Sequence, residues 1–203
     1  LYSSLKNIDL SVYDSLAVGS GIGIDNDDWQ KSKDFLISFP GLLILDADAL
    51  NRISESKLGS KFFLERKFKT WITPHRKEFL RLFPNITYKT DVERALIAAK
   101  EFNISVLLKG ANSIVADNKN AWQLFGTDSQ TARAGLGDLL SGFVAGSSAI
   151  DSTICKNITT DFFAKYVLLH SFAASRCKWG SNASAIGDEL SIMMRNSKMR
   201  EIS

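Results

Sequence analysis

This sequence of 203 residues has two cysteines, three prolines and no long apolar run. Cys155 and Cys177 are too few for a disulfide framework or a metal cluster, which favours a reducing, cytoplasmic setting. No apolar run reaches the roughly 20 residues that span a bilayer, and the start lacks a secretory pattern. The net charge of +3 comes without a basic stripe between aromatic residues. These absences argue against a membrane or a nucleic-acid partner.

Short apolar runs alternate with amphipathic segments along the first half of the chain. The predicted strands end in polar or glycine-rich residues and lie at 15–23, 42–50, 70–75 and 104–110. The predicted helices fill the intervals, at 28–39, 54–66, 76–83 and 90–102. A hairpin at 113–125 follows, and then helices at 138–150, 157–178 and 183–196. This order predicts an α/β domain with a mostly parallel sheet and an antiparallel hairpin edge.

The glycine-rich segment TARAGLGDLLSGFVAG, at 131–146, is the most informative stretch of the sequence. Gly135 and Gly137 let the backbone approach a ligand closely, and the start of the following helix favours a phosphate. Asp138 falls beside that phosphate, where an acid can orient a hydroxyl, accept its proton or hold a metal ion. The segment therefore points to phosphoryl chemistry on a nucleotide. The alternative is a glycine C-cap before an ordinary acidic helix start.

Further polar residues fall where the predicted parallel strands end, which is the edge at which such sheets bind ligands. Lys109 closes one strand just before Gly110, and a lysine there reaches nucleotide phosphates as a point charge. Ala111, Asn112 and Ser113 add donors for the same nucleotide. The alternative for Lys109 is a surface lysine whose stem covers apolar neighbours.

Two histidines and two acids complete the set of candidates. His75 follows a strand end and is either a substrate contact or a structural residue, whereas His170 lies in an apolar helical run and is interpreted as packed. Asp46 and Asp48 would point to opposite faces of a strand, so at most one of them faces the site and offers Mg²⁺ a ligand. The alternative for Asp48 is a helix N-cap.

The sequence resembles the ATP- or ADP-dependent NAD(P)H-hydrate dehydratases, a branch of the ribokinase-like superfamily. The ordered motifs that carry the resemblance are VGSGIG, LDADALN, TPHRKEF, LLKGANSIVAD and ARAGLGDLLSGFVAG. It implies a ribokinase-like three-layer α/β/α fold and a metabolite-repair lyase that acts on hydrated NADH or NADPH. In that family the ring hydroxyl is phosphorylated, with ADP or ATP and Mg²⁺, and phosphate is then lost to restore the reduced nicotinamide.

The resemblance also implies roles for individual residues. Asp138 matches the catalytic acid/base that contacts the reacting hydroxyl. Gly21 and His75 match substrate contacts, together with Asp138. The implied nucleotide site combines the loop after the fourth strand with the anion-binding backbone of the glycine loop: Lys109, Gly110, Ala111, Asn112, Ser113, Ala134, Gly135, Leu136 and Gly137. The ligands of the metal ion stay unassigned.

Two departures from the family pattern bear on the function. Leu136 stands where family members often have threonine, so a hydroxyl is lost while the backbone donors remain. The family domain normally begins with an additional glycine-rich unit before residue 1, and this chain lacks an initiator Met. We therefore expect residues 1–203 to be one dehydratase domain without that unit. Either the unit is absent from the protein, which would put its activity in doubt, or it lies upstream on a longer polypeptide. A hydrate epimerase, fused or separate, is the expected partner.

Two other functions stay open at this point. A small-molecule kinase of the same superfamily would share Asp138 and the anion-binding loop, and it would give a stable phosphorylated product. A nucleotide-binding module would bind nucleotide without turnover. The apolar surface of the helices after residue 150 leads us to expect a homo-oligomer, although the same surface can simply cover the sheet.

Overall fold

The computed structural model describes residues 8–23, 26–125, 135–154, 157–178 and 180–200. Within them, six strands form one sheet in which each strand lies beside the next one along the chain. The strands are β1 (Ser15–Val18), β2 (Leu42–Leu45), β3 (Thr70–Ile72), β4 (Ser105–Leu108), β5 (Ile114–Ala116) and β6 (Ala121–Gln123). β1 to β4 are parallel, whereas β5 and β6 add an antiparallel hairpin. The predicted sheet with its hairpin edge is confirmed.

Helices connect and cover these strands. They are α1 (Asn26–Ser38), α2 (Ala47–Glu55), α3 (Phe62–Glu65), α4 (Arg76–Leu82), α5 (Asp91–Phe102), α6 (Leu136–Ile154), α7 (Thr160–Arg176) and α8 (Ala183–Arg200). Local sequence sets the bounds of α5, because Thr90 and Glu93 form a reciprocal capping box and Asn103 ends the helix at φ 51°. No helix within the described ranges has the length and apolar character needed to cross a bilayer.

The helices cover both faces of the sheet. Leu43 and Leu45 of β2 pack into an apolar cluster with residues of α1, α2, α4 and α5. Leu42 and Ile44 of the same strand pack on the opposite face, against residues of α6 and α7. Because successive side chains of a strand alternate between the faces, one fully buried strand serves both clusters. This is the predicted three-layer α/β/α arrangement.

The structure corrects two of the predicted boundaries. The run 42–50 is not one strand, because β2 ends at Leu45 and α2 begins at Ala47. The helix expected at 54–66 is instead the end of α2, a 3₁₀ turn and the short α3. The physical reason is that the Asp46 side chain accepts a hydrogen bond from the Ala47 amide and caps a helix directly after the strand. Asp48 therefore lies on a helix and not on the opposite face of a strand.

Candidate active site

Four loops meet at the carboxyl edge of the parallel strands, where sheets of this kind bind ligands. Gly19 follows β1, Asp46 follows β2, Thr73 follows β3 and Lys109 follows β4. The loops after β3 and β4 run side by side beyond the ends of their strands, because the Lys109 amide donates a hydrogen bond to the Pro74 carbonyl at 2.8 Å. The edge thus gathers polar residues that the sequence placed at the ends of separate strands.

Asp46 lies in a sharp turn between β2 and α2. The next residue, Ala47, has φ +46°, which is uncommon for a residue that carries a side chain. Gly19 fits so closely against this turn that a Cβ atom there would lie 1.7 Å from the Asp46 carbonyl oxygen. Position 19 therefore requires glycine, and the loop after β1 is fixed against the turn after β2.

The buried Asp46 carboxylate joins three elements. Its Oδ1 atom accepts hydrogen bonds from the Ala47 amide at 2.8 Å and from the Lys109 ammonium at 2.7 Å. Its Oδ2 atom accepts a hydrogen bond from the Ser141 hydroxyl of α6 at 3.0 Å. The side chains of the ion pair are 4% exposed for Asp46 and 27% exposed for Lys109. A largely shielded, charge-assisted contact therefore holds Lys109 in place beside α6.

The glycine loop enters α6 next to this ion pair. Gly135 has φ +82°, and α6 begins at the following residue. At Gly137, a Cβ atom would lie 3.5 Å from Asp46 Oδ2 and 3.9 Å from Lys109 Nζ, so the backbone passes close to both charges. The first amides of a helix have no acceptor within the helix, and together with a lysine they suit a phosphate. Ala134 lies outside the described residues.

Two cavities adjoin Lys109 and contain predicted nucleotide residues. A cavity of about 240 Å³ between the loop after β4 and the start of α6 is lined by Lys109, Gly110, Ser113, Leu136 and Gly137, among others. A second cavity, of about 710 Å³, is lined by Lys109, Gly110, Ala111 and Asn112, together with Arg76 and Asp91. The structure thus places these residues around one lysine, although Ala111 and Asn112 face the second cavity only.

A further cavity, of about 320 Å³, lies beside Asp138. The end of β1 and the loop after it form one wall, and Asp46, Asp138 and Ser141 contribute to its lining. Asp138 and Ser141 are three residues apart on α6 and so share a face of the helix. Gly21 is exposed at the tip of the loop, and its neighbours Ser20 and Ile22 line the cavity instead.

The His75 side chain caps α4. Its Nδ1 atom accepts hydrogen bonds from the amides of Lys77 at 3.1 Å and Glu78 at 3.2 Å, and the Glu78 carboxylate accepts one from the His75 amide at 2.8 Å. With Nδ1 as an acceptor, the ring proton of the neutral imidazole lies on Nε2, 3.3 Å from Glu78 Oε1. His75 therefore has a structural role, and its contact with a substrate stays a prediction.

His170 lies on α7, 9% exposed, and lines the cavity of about 240 Å³. Burial lowers the pKa of its imidazole to about 4, while a hydrogen bond with the Leu136 backbone acts in the opposite direction. Its Nε2 atom has no hydrogen-bond partner within the described part of the chain. His170 is thus neutral at pH 7 and packed in its helix, as the surrounding apolar run predicted.

The described side chains form no cluster of three or more histidines, cysteines or acids that could hold a metal ion. Both carboxylate oxygens of Asp46 accept hydrogen bonds, and one oxygen of Asp48 accepts a hydrogen bond from the Gly23 amide at 3.2 Å. Asp46 is therefore poorly suited to bind Mg²⁺ directly. Asp138 is exposed at the start of α6 and borders a cavity, so its carboxylate is accessible to a ligand there.

Sequence reasoning did not single out Ser141 and Arg52. Ser141 follows Asp138 by three residues on an apolar helix. This spacing alone could have indicated that the two side chains lie on the same face of the helix. Arg52 follows Asp48 by four residues on α2, and its guanidinium donates to the Gly23 carbonyl from Nε at 3.1 Å and from Nη2 at 2.7 Å. The position of α2 was itself mispredicted, so this contact had no signal in the sequence.

A family model described as NAD(P)H-hydrate dehydratase matches residues 2–190. The bifunctional NAD(P)H-hydrate repair enzyme Nnr of Synechocystis sp. is 35% identical over 145 residues, which are 71% of this chain and 27% of the relative. The chain therefore spans about a quarter of the length of this relative.

Solved structures show the same fold. The ADP/ATP-dependent NAD(P)H-hydrate dehydratase from Bacillus subtilis, co-crystallized with ATP/Mg²⁺, aligns with a TM-score of 0.73 and 21% identity, covering 96% of this chain and 69% of that one. A ribokinase-like superfamily protein from Enterococcus faecalis aligns with a TM-score of 0.76 and 20% identity, covering 92% of this chain and 64% of that one. The predicted ribokinase-like α/β fold is confirmed.

Proposed function

This chain belongs to the NAD(P)H-hydrate dehydratase family, and from that membership we propose that its site dehydrates hydrated NADH or NADPH with ADP or ATP as phosphoryl donor. One observation carries the proposal, namely that the start of α6 lies between two cavities. Gly137 lines the cavity that it shares with Lys109, and Asp138 lines the cavity beside the loop after β1. A phosphoryl donor in the first cavity and a hydroxyl in the second would meet at residues 137–138.

The proposed chemistry replaces a poor leaving group with a good one. Asp138 accepts the proton of the ring hydroxyl while the hydroxyl oxygen attacks the terminal phosphorus of the nucleotide. A new O–P bond forms, and the P–O bond that joins this phosphorus to the rest of the nucleotide breaks. The electron pair of the ring nitrogen then expels phosphate, and loss of a proton from the neighbouring carbon restores the reduced nicotinamide. The first step needs positioning more than strong basicity, so an aspartate suffices.

The nucleotide would be held by fixed positive groups. Lys109, which is oriented by Asp46, and the amides at the start of α6 would bind the phosphate oxygens. Mg²⁺, with which the Bacillus subtilis protein was co-crystallized together with ATP, would neutralise further phosphate charge. The ligands of the ion stay unassigned, because the oxygens of Asp46 are already engaged and Asp138 is the group that acts on the hydroxyl.

A coupled assay tests this proposal. Hydrated NADH is incubated with the polypeptide that carries this chain, Mg²⁺, and either ADP or ATP, while the absorbance of the reduced nicotinamide and the release of phosphate are followed. We expect nucleotide-dependent recovery of reduced nicotinamide, with one phosphate released per turnover. A stable phosphorylated product without recovery would instead identify a small-molecule kinase, and nucleotide binding without either product would identify a binding module.

The larger organisation is also a proposal. The Synechocystis relative is bifunctional and about four times as long as the part that matches. This supports a hydrate epimerase that acts with residues 1–203, on the same polypeptide or as a partner. Residues 1–203 would then be one dehydratase domain, and its homo-oligomeric state stays a prediction for light scattering to check.

A further inference from the structure

We propose that Asp48 and Arg52 are positioning residues that hold the loop 19–23 in shape for the hydrated substrate. The inference rests on the proposed function, because it treats the cavity between this loop and Asp138 as the substrate cavity. It concerns residues on α2 that act through the loop rather than by touching the substrate.

The two side chains bind both polar groups of one residue. The Asp48 carboxylate accepts a hydrogen bond from the Gly23 amide at 3.2 Å. The Arg52 guanidinium donates twice to the Gly23 carbonyl, at 3.1 and 2.7 Å. Asp48 and Arg52 lie four residues apart on α2, so they project from the same face of the helix. Arg52 is 4% exposed, and its charge-assisted hydrogen bonds are therefore shielded from water.

The other end of the loop is fixed by packing. Gly19, at φ +145°, leaves no room for a side chain against the Asp46 carbonyl. Gly23, at φ +73°, occupies a conformation that suits glycine, and α2 binds it there. The chain from Gly19 to Gly23 is thus held at both ends by one segment, the β2–α2 turn and the first turns of α2. Within this loop, Gly19, Ser20 and Ile22 line the cavity.

This arrangement predicts an effect confined to one ligand. The loop forms a wall of the cavity of about 320 Å³ that Asp138 lines, whereas Lys109 and Gly110 line the cavities on the nucleotide side. Loosening the loop at Gly23 should therefore weaken the binding of hydrated NADH and leave nucleotide affinity unchanged. A residue that merely stabilises the fold would affect both ligands and the melting temperature together.

The experiment compares Asp48→Ala with Asp48→Asn. Alanine removes the acceptor for the Gly23 amide, whereas the asparagine side-chain carbonyl retains it. Both variants remove the same negative charge from the first turn of α2, so the helix-dipole effect is matched. Glu55→Ala, which removes an exposed carboxylate at the end of the same helix, serves as a control. The measurements are kcat and KM for hydrated NADH, the nucleotide Kd, and hydrogen exchange of the Gly23 amide.

We expect Asp48→Ala to raise the KM for hydrated NADH about tenfold, equivalent to about 1.4 kcal/mol. We also expect faster exchange of the Gly23 amide, with kcat and the nucleotide Kd little changed. Asp48→Asn should restore most of the KM, and Glu55→Ala should resemble the wild type. An unchanged KM, or equal losses for both ligands, would overturn the inference. If the wild type has no dehydratase turnover, the proposed function fails, and Gly23 exchange in Asp48→Ala still decides whether Asp48 holds the loop.

Discussion

The ion pair between Lys109 and Asp46 gives the sharpest prediction about the site. Replacing Lys109 with methionine keeps most of the side-chain volume and leaves a buried, unpaired carboxylate. Breaking a buried ion pair in this way costs about 3–5 kcal/mol. Because Lys109 is 27% exposed and Asp46 keeps hydrogen bonds from the Ala47 amide and the Ser141 hydroxyl, we expect a smaller loss. We place the loss in the free energy of unfolding at about 2–3 kcal/mol.

Adding Asp46→Asn to the Lys109→Met variant should recover most of this stability. The asparagine side chain has no charge to leave unpaired, and it still offers an oxygen to the Ala47 amide. Urea denaturation of the wild type, both single variants and the double variant measures the coupling between the two positions. Lys100→Met, on the exposed face of α5, is the matched control and should change stability by less than about 0.5 kcal/mol.

The double variant should regain stability but not nucleotide affinity. If Lys109 binds phosphate, the double variant remains at least about tenfold weaker than the wild type for the Mg²⁺ complex of ADP or ATP, which corresponds to about 1.4 kcal/mol. Titration calorimetry on the four proteins measures this. Wild-type affinity in the double variant would refute the phosphate role of Lys109. A double variant as unstable as Lys109→Met would refute the burial argument for the pair.

Three further predictions concern the fold. Arg66→Met should lower the free energy of unfolding by about 3–5 kcal/mol in urea denaturation, because the buried guanidinium donates to five backbone carbonyls and one hydroxyl. As the pH falls from 6.5 to 4, the free energy of unfolding of the wild type should decrease by about 3 kcal/mol, because His170 takes up a proton more readily in the unfolded state than in the folded state. The His170→Gln variant should lack this contribution to the pH dependence. Gly19→Ala should prevent folding or destabilise the protein severely in thermal melts, whereas Gly146→Ala, on helix α6 with open space, should stabilise it by about 0.5–1 kcal/mol.

The edge of the sheet at which the site lies was predictable from the sequence. Parallel strands place their carboxyl ends together, so polar residues after separate apolar runs must meet at one edge. Lys109 was predicted on this ground and Asp138 from the glycine-rich loop before its helix, and the structure brings Lys109 next to the start of that helix. The hairpin edge was likewise predictable, because its turn chemistry is local.

The role of Asp46 was not predictable from the same patterns. LLILDADAL reads as one apolar run, and nothing local shows that a positive φ at Ala47 ends the strand there. The partners of its carboxylate, Lys109 and Ser141, lie 63 and 95 residues away in the chain. The periodicity of apolar residues and the spacing of motif residues describe a single helix or strand. They carry no information about contacts between residues that are far apart in the chain. The buried ion pair emerges only when β2, β4 and α6 are packed together.

The proposed function depends most on Asp138 as the group that acts on the substrate hydroxyl. The most direct test compares the wild type with Asp138→Asn in the hydrated-NADH assay, with nucleotide Kd measured on both proteins. Asparagine keeps the size of the side chain and cannot accept the hydroxyl proton. We predict a loss of turnover of about 10²–10⁴-fold with nucleotide affinity within about threefold of the wild type. Undiminished turnover, or an equal loss of turnover and nucleotide affinity, would contradict this role of Asp138.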